Sequence, residues 1–328
     1  MKGPADLTDA LLETGIVGSF TRIGYEARRR LYDWPSLADI ARQQHFAGSR
    51  VVLTGATSGL GASAARTLAR LGAELHIVGR NPVRTHAAAE DISQSAGGSP
   101  VTAHIADLTD LCAVNDLCDQ LEPLGQIDVL IHNAGALVHS YGTASGHEQT
   151  YTAQVLAPQL MTERLLPQLA SGGRVIVMSS GGMYSEPLRP TQMEYPEATF
   201  DGVKAYARAK RAQVELVAEW ATVWQDREIS FHAMHPGWVD TPGVRTALPG
   251  FYRMTRLVLR NGDEGADTLI WLAVSPPAEL GSGGFWLDRN RRKTRRVPVA
   301  STTADDRTEL FQFVQHQVRL AIADCSAS

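Results

Sequence analysis

The chain reads as an α/β protein with a doubly wound parallel sheet, a single domain behind an N-terminal helical extension. Three observations predict this. From residue 49 onward, short apolar runs alternate with longer helical patterns, the rhythm of parallel βαβ units. The first apolar run leads directly into a glycine cluster and then a helix. Across 328 residues, 44% are hydrophobic and 20% charged, an ordinary globular balance that can bury a large core.

The elements follow in order. Residues 50–54 (RVVLT) read as a strand and 59–71 as a helix. Residues 75–78 are the next strand, followed by a helix over 83–94. Strands at 101–105 and 127–132 flank a helical stretch at 111–121. A long helical pattern covers 148–169, with a strand at 174–178 after it. Residues 203–224 predict a helix, 229–234 a strand, 264–273 a helix, and 284–287 a last short strand. Three segments break the rhythm. Residues 1–48 form the extension, which leaves 49–328 as the main domain. Residues 181–202 are rich in Pro, Gly and Glu and read as a loop. Residues 288–296 (DRNRRKTRR) are a basic run before a final helix over 309–323.

Composition excludes several classes. The net charge of −4 gives no sign of a nucleic-acid binder. Cys112, Cys118 and Cys325 are three in number, with no CxxC spacing. They read as reduced, mostly buried thiols, with no disulfide framework and no metal site. The opening MKGPADLTDA lacks a signal-peptide pattern, and no run reaches the ~18 apolar residues of a spanning helix. A cytoplasmic protein follows, with membrane association as a further option. In the extension, Leu12, Ile16, Phe20, Ile23, Ala27 and Leu31 recur at helical spacing, near Arg28-Arg29-Arg30 and Trp34. Such a stripe suits a membrane surface. Acidic Asp6, Asp9 and Glu13 at its start favour docking on protein instead. Residues 289–296 could draw anionic lipid, though a solvated loop is the simpler expectation.

The glycine cluster reads Thr54-Gly55-Ala56-Thr57-Ser58-Gly59-Leu60-Gly61. Glycines permit a tight turn and let backbone N–H groups approach a pyrophosphate. The positive end of the following helix faces those phosphates. The second strand ends in Gly79-Arg80 without an acid to bind a ribose 2′-hydroxyl, and Arg80 is placed to pair a 2′-phosphate, which favours NADP(H). Tyr206 and Lys210 stand four apart on a predicted helix, on one face and one turn apart. A phenol titrates near ~10. A nearby ammonium favours the phenolate, so the phenol can exchange a proton with an alcohol.

The TGxxxGxG spacing, Asn133-Ala134-Gly135, the strand ending in Ser179-Ser180, Tyr206-xxx-Lys210 and Pro236-Gly237 with Thr241 occur in that order. Together they resemble the short-chain dehydrogenase/reductase family, with its Rossmann-type fold, over residues 48–290. The resemblance implies several roles. Asp107 would contact the adenine, and Asn133, Ala134 and Gly135 would border the cofactor. Ser180 would polarise a substrate carbonyl, with Ser179 structural. Lys210 would also hold the nicotinamide ribose, and Thr241 would meet the carboxamide. The 26 positions between Ser180 and Tyr206 resemble the retinol-dehydrogenase-like branches, and the inserted loop is expected to border the pocket.

Gln154 departs from the family, which places an asparagine there in the proton relay. Glutamine has the same amide on a stem one methylene longer, and Ala157 stands where relatives have glycine. Residues 247–259 (ALPGFYRMTRLVL) fall where the family puts its lid. Their apolar content suits a pocket for a lipid-, steroid- or isoprenoid-like small molecule, or equally a helix packed on the body without touching substrate. The resemblance also implies a homo-oligomer built through paired long helices. The rival reading is a dinucleotide-binding redox sensor or scaffold without turnover, which only Gln154 supports.

Overall fold

The structure, a computed structural model, describes residues 4–296 and 302–327. Four short helices open the chain: α1 (Pro4–Thr14), α2 (Ile16–Phe20), α3 (Arg22–Leu31) and α4 (Leu37–Gln43). The single amphipathic stripe expected here is not formed. Gly15 and extended Thr21 break it, leaving Ile16 and Ile23 exposed while Phe20 and Tyr25 are buried. A Cβ on Gly24 would collide with the Gly18 carbonyl oxygen, so glycine lets α2 and α3 cross closely.

The main body runs β1 (Arg50–Thr54), α5 (Gly59–Arg70), β2 (Glu74–Gly79), α6 (Pro82–Ser95), β3 (Val101–Ile105), α7 (Leu111–Leu121) and β4 (Ile127–His132). A small antiparallel pair follows, β5 (Thr143–Ala144) and β6 (His147–Glu148). The long helix comes in three pieces: α8 (Gln149–Tyr151), a π-helical turn over Thr152–Leu156, and α9 (Ala157–Leu165). Next come β7 (Leu169–Met178), α10 (Gly202–Val223), β8 (Ser230–Met234), α11 (Pro242–Ala247), α12 (Pro249–Thr255) and α13 (Gly262–Val274). The chain ends with α14 (Pro277–Leu280), β9 (Gly284–Leu287), β10 (Asn290–Arg291) and α15 (Ala304–Ala327).

The strands form one sheet in the order β10-β9-β8-β7-β4-β1-β2-β3, parallel except where β10 turns back on β9. The central strands are buried on both faces, hence their continuous apolar sequences. One core lies under α7, α9, α10 and α15, the other under α4, α5, α6 and α13. The strand order reverses between β4 and β1, and a doubly wound sheet binds its ligands at the carboxyl ends of the strands around such a point.

Two expectations are corrected. Cys112 and Cys325 are joined in a disulfide across 213 positions, and only Cys118 is a free, buried thiol. Spacing could not reveal the pair, because α15 has to pack along α7 before the two sulfurs meet. In the basic run at 288–296, Arg289, Arg292 and Arg296 are engaged rather than solvated, while Arg291, Lys293 and Arg295 are exposed. Arg289 chelates Asp267 at 2.7 Å, Arg292 reaches Asp9 at 2.6 Å, and Arg296 reaches Glu13 at 2.5 Å. Arg28, with no exposed surface, binds Asp9 at 2.6 Å and Asp288 at 2.7 Å. Buried Arg260 grips both Asp288 oxygens, at 2.5 and 2.9 Å. Burial alone would raise the Asp288 pKa, but Arg260 and Arg28 together hold it below the usual carboxylate range. The extension is thereby docked on its own body. No helix among the described residues is long and apolar enough to cross a membrane.

Candidate active site

The carboxyl ends of β1 and β4 are sewn together by Thr54. Its hydroxyl accepts hydrogen bonds from the backbone N–H groups of Asn133 and Ala134, both at 3.1 Å. The Asn133 amide donates back to the carbonyls of Thr54 and Gly55. Gly55 has φ +74°, and a Cβ there would lie 2.8 Å from Ala134 Cα. A Cβ on Gly61 would collide with the Gly55 carbonyl oxygen, and Gly59 also holds a positive φ. A concave backbone cradle results at the start of α5, and side chains at these three positions would fill or distort it. Thr57 precedes Ser58, the N-cap of α5, and Leu60 is the second residue of that helix.

Of the surrounding sequence-predicted residues, Thr241 touches this cradle, and Arg80, Asp107 and Pro236 follow the carboxyl ends of β2, β3 and β8. A Cβ on Gly79 would stand 3.1 Å from Thr57 Cγ2, so the end of β2 abuts the glycine loop. Arg80, the next residue, is exposed and free of side-chain partners among the described residues. Asp107 follows β3 and fixes its own loop, accepting from the Thr109 N–H at 3.0 Å and hydroxyl at 2.9 Å. Thr241 caps α11 and lies 3.6 Å from a Cβ built on Gly59. Pro236 and Gly237 enter the same face. Gly237 has φ +76°, and a Cβ there would meet the Arg260 guanidinium at 2.5 Å and the Phe20 carbonyl oxygen at 2.7 Å.

Beside the cradle, Asp201 caps α10 and sets its start. Tyr206 and Lys210 project from one side of this helix, with Nζ 5.4 Å from the phenol ring centre. Ser180, just past β7, accepts a hydrogen bond from the Gly182 N–H at 3.2 Å, and its hydroxyl and the Tyr206 ring both flank Gly182, 3.6 and 4.0 Å from where a Cβ there would stand. Burial raises the Tyr206 pKa above its ordinary value, and the nearby Ser180 hydroxyl pulls partly against this. The Ser179 hydroxyl points the other way, donating to the Lys210 carbonyl at 2.8 Å and tying β7 to α10. Lys210 is almost fully buried, and burial brings its ammonium down to about 7. Nζ donates to the Met178 carbonyl at 2.8 Å and to Gln213 Oε1 at 3.1 Å.

Gln154 belongs to the π-helical turn, an irregularity that often marks functional positions. Its Nε2 donates to the Ala136 carbonyl at 2.9 Å, while its buried Oε1 has no partner among the described residues. Oε1 and Lys210 Nζ flank Gly135, at 3.0 and 3.1 Å from where its Cβ would stand. Gln213 closes the group by donating to the Gln154 carbonyl at 2.7 Å. Sequence reasoning missed Gln213, although its position three after Lys210 on one helix face offered a signal. The inserted loop flanks Ser180 and Tyr206 at Gly182 and also borders a second space. Met193, Tyr195, Arg208 and Phe313 help to line a cavity of about 420 Å³ that holds none of the catalytic candidates.

The short chain dehydrogenase family model matches residues 49–250. The proteins of Bos taurus and Homo sapiens named Dehydrogenase/reductase SDR family member 12 are each 34% identical over 294 residues, spanning 88% of this chain and 90% of their own. Retinol dehydrogenase 14 of Mus musculus is 31% identical over 268 residues, 74% of this chain and 78% of its own. A solved short-chain dehydrogenase from Burkholderia cenocepacia, in complex with NADP, superposes with a TM-score of 0.60 at 25% identity. It covers 73% of this chain and 95% of that one. The chain belongs to the short-chain dehydrogenase/reductase family, NAD(P)-dependent oxidoreductases acting on CH–OH groups.

Proposed function

We propose that this protein interconverts a carbonyl and an alcohol on a lipophilic small molecule with NADP(H), using Tyr206 as acid and base. The observation that carries the reading is the meeting of Ser180, Tyr206 and Lys210 beside the glycine cradle. The cradle suits a dinucleotide, because glycines at 55 and 61 let the backbone turn and pack tightly there, so that N–H groups rather than side chains face the pyrophosphate. Residues 55–61 would hold the pyrophosphate, Arg80 a 2′-phosphate and Asp107 the adenine. Asn133, Ala134 and Gly135 would border the ribose that Lys210 holds. Pro236, Gly237 and Thr241 would frame the nicotinamide. When bound, the dinucleotide supplies or accepts the hydride.

The rest is work for the protein. Ser180 and Tyr206 hold the substrate oxygen between two hydroxyls. As negative charge grows on that oxygen, the Tyr206 phenol delivers its proton there. The raised pKa keeps the phenol protonated before reaction. The Lys210 ammonium stabilises the phenolate left behind. Gln154 would then carry a relay water to Lys210, consistent with its unpartnered Oε1 facing that side chain. Because NADPH is the form that cells keep reduced, we assign reduction as the working direction.

The test is a carbonyl panel followed by NADPH absorbance, with Tyr206→Phe in parallel. The variant keeps the ring but loses the proton, so turnover should fall about 10²–10⁴-fold while NADPH affinity holds. NADPH binding with no turnover by the parent protein across the panel would instead favour the sensor or scaffold.

A further inference from the structure

Met254 is 88% exposed and Leu257 is 90% exposed, more than any other large apolar residue described. Single exposed apolar residues are ordinary, but these two stand three apart at the lid formed by α11 and α12. The lid segment around α12 turns other apolar side chains toward the body. Phe251 packs edge-on against Trp238 at 4.9 Å, and Leu259 is 6% exposed. Ile23, 63% exposed, stands alongside, since the Arg22 N–H donates to the Val258 carbonyl at 2.9 Å.

Arg253 and Arg256 are interleaved with the two apolar tips. Both are exposed, and neither guanidinium has a hydrogen-bond or ion-pair partner among the described residues. The chain as a whole carries −4, so this basic patch runs against the charge of the molecule. In the basic run at 289–296, Arg289, Arg292 and Arg296 are engaged elsewhere, holding Asp267, Asp9 and Glu13, while Arg291, Lys293 and Arg295 are exposed. The lid also sits at the mouth of the candidate site. Thr241 at its base abuts Gly59, and His139, in the loop after β4, hydrogen-bonds the Ala247 carbonyl at 2.8 Å.

We infer that the lid docks on an anionic phospholipid surface, with Met254, Leu257 and Ile23 entering the acyl boundary and Arg253 and Arg256 meeting the headgroup phosphates. Alternating cationic and apolar tips, projecting outward, suit an interface that is charged above and apolar below. The net negative charge elsewhere would orient the molecule lid-first.

The experiment is flotation of the full chain with phosphatidylcholine vesicles, with and without phosphatidylserine. The protein should float with the anionic vesicles and largely fail to float with neutral ones. The double variant Arg253→Glu, Arg256→Glu should bind more than about tenfold more weakly. The variant Met254→Ser, Leu257→Ser should lose binding to a similar degree. All four side chains are exposed, so melting temperature and NADPH affinity should stay at parental values. Failure of the parent protein to float with anionic vesicles overturns the proposal, as does undiminished flotation of both variants. A dimer in light scattering that Met254→Ser, Leu257→Ser converts to monomer would also overturn it, by assigning the face to a second copy. None of these readouts depends on turnover.

Discussion

Lys210 meets two demands that pull in opposite directions, since its role asks for charge and its burial resists it. A lysine in an unfolded chain titrates near ~10.4, whereas burial brings this one to about 7. Between those values the unfolded chain keeps a proton that the folded chain has released. Stability therefore rises with pH across that window, and the full cost of the buried ammonium is felt below about 7. Lys210→Met has no titrating group. The melting temperature of the parent protein minus that of the variant should therefore grow by several degrees between about pH 6.5 and about pH 9.5, as calorimetry can measure. A difference that stays flat would mean the lysine titrates alike in both states. Gln213 and the Met178 carbonyl hold Nζ whether it is charged or neutral. They position the lysine without deciding its protonation.

The turn between β9 and β10 shows what the elements require of one another. Asp288 and Arg289 both have φ +54°, a region uncommon for side-chain-bearing residues. Asp288 is held there by Arg28 from α3 and Arg260 from the segment before α13. Asp288→Asn keeps the shape but leaves two buried guanidinium groups short of a counter-charge. Loss of about 3–5 kcal/mol is expected, read as a fall in melting temperature on the order of 10 °C. The same change should loosen the Phe20 carbonyl under the Pro236-Gly237 segment, which Arg260 also holds. An unmoved melting curve would mean that the network contributes little. This network also explains where sequence reading stopped. The glycine cluster and the Tyr206–Lys210 spacing are local patterns, readable within one element. Arg292 and Arg296 looked solvated because their carboxylate partners lie 283 positions away. The N-terminal stripe was read as one helix because apolar spacing cannot register the breaks at Gly15 and Thr21.

At the scale of the molecule, α15 decides what the outside looks like. Leu310, Phe311, Val314 and Val318 are buried, with Phe311 edge-on to Trp224 at 5.9 Å. The Tyr151 hydroxyl donates to Gln317. α15 thus lies along α7, α9 and α10, and its far end is fastened by Cys112–Cys325. The oligomer expected on family grounds would use the long helices that α15 already covers. We therefore expect one chain per particle in light scattering, and self-association or precipitation when residues 302–328 are removed. A stable oligomer of the full chain would show that another face is used. There is a consequence for how the protein is made. Arg28 leaves the ribosome 260 residues ahead of Asp288, roughly 13–50 s at ordinary rates of synthesis. Through that interval Asp9, Glu13 and Phe20 have no completed partner surface, and Cys112 waits 213 residues for Cys325. The newborn chain must hold its front end open until its rear end arrives. A chaperone that shields the first thirty or so residues would therefore speed its maturation more than one acting on the sheet.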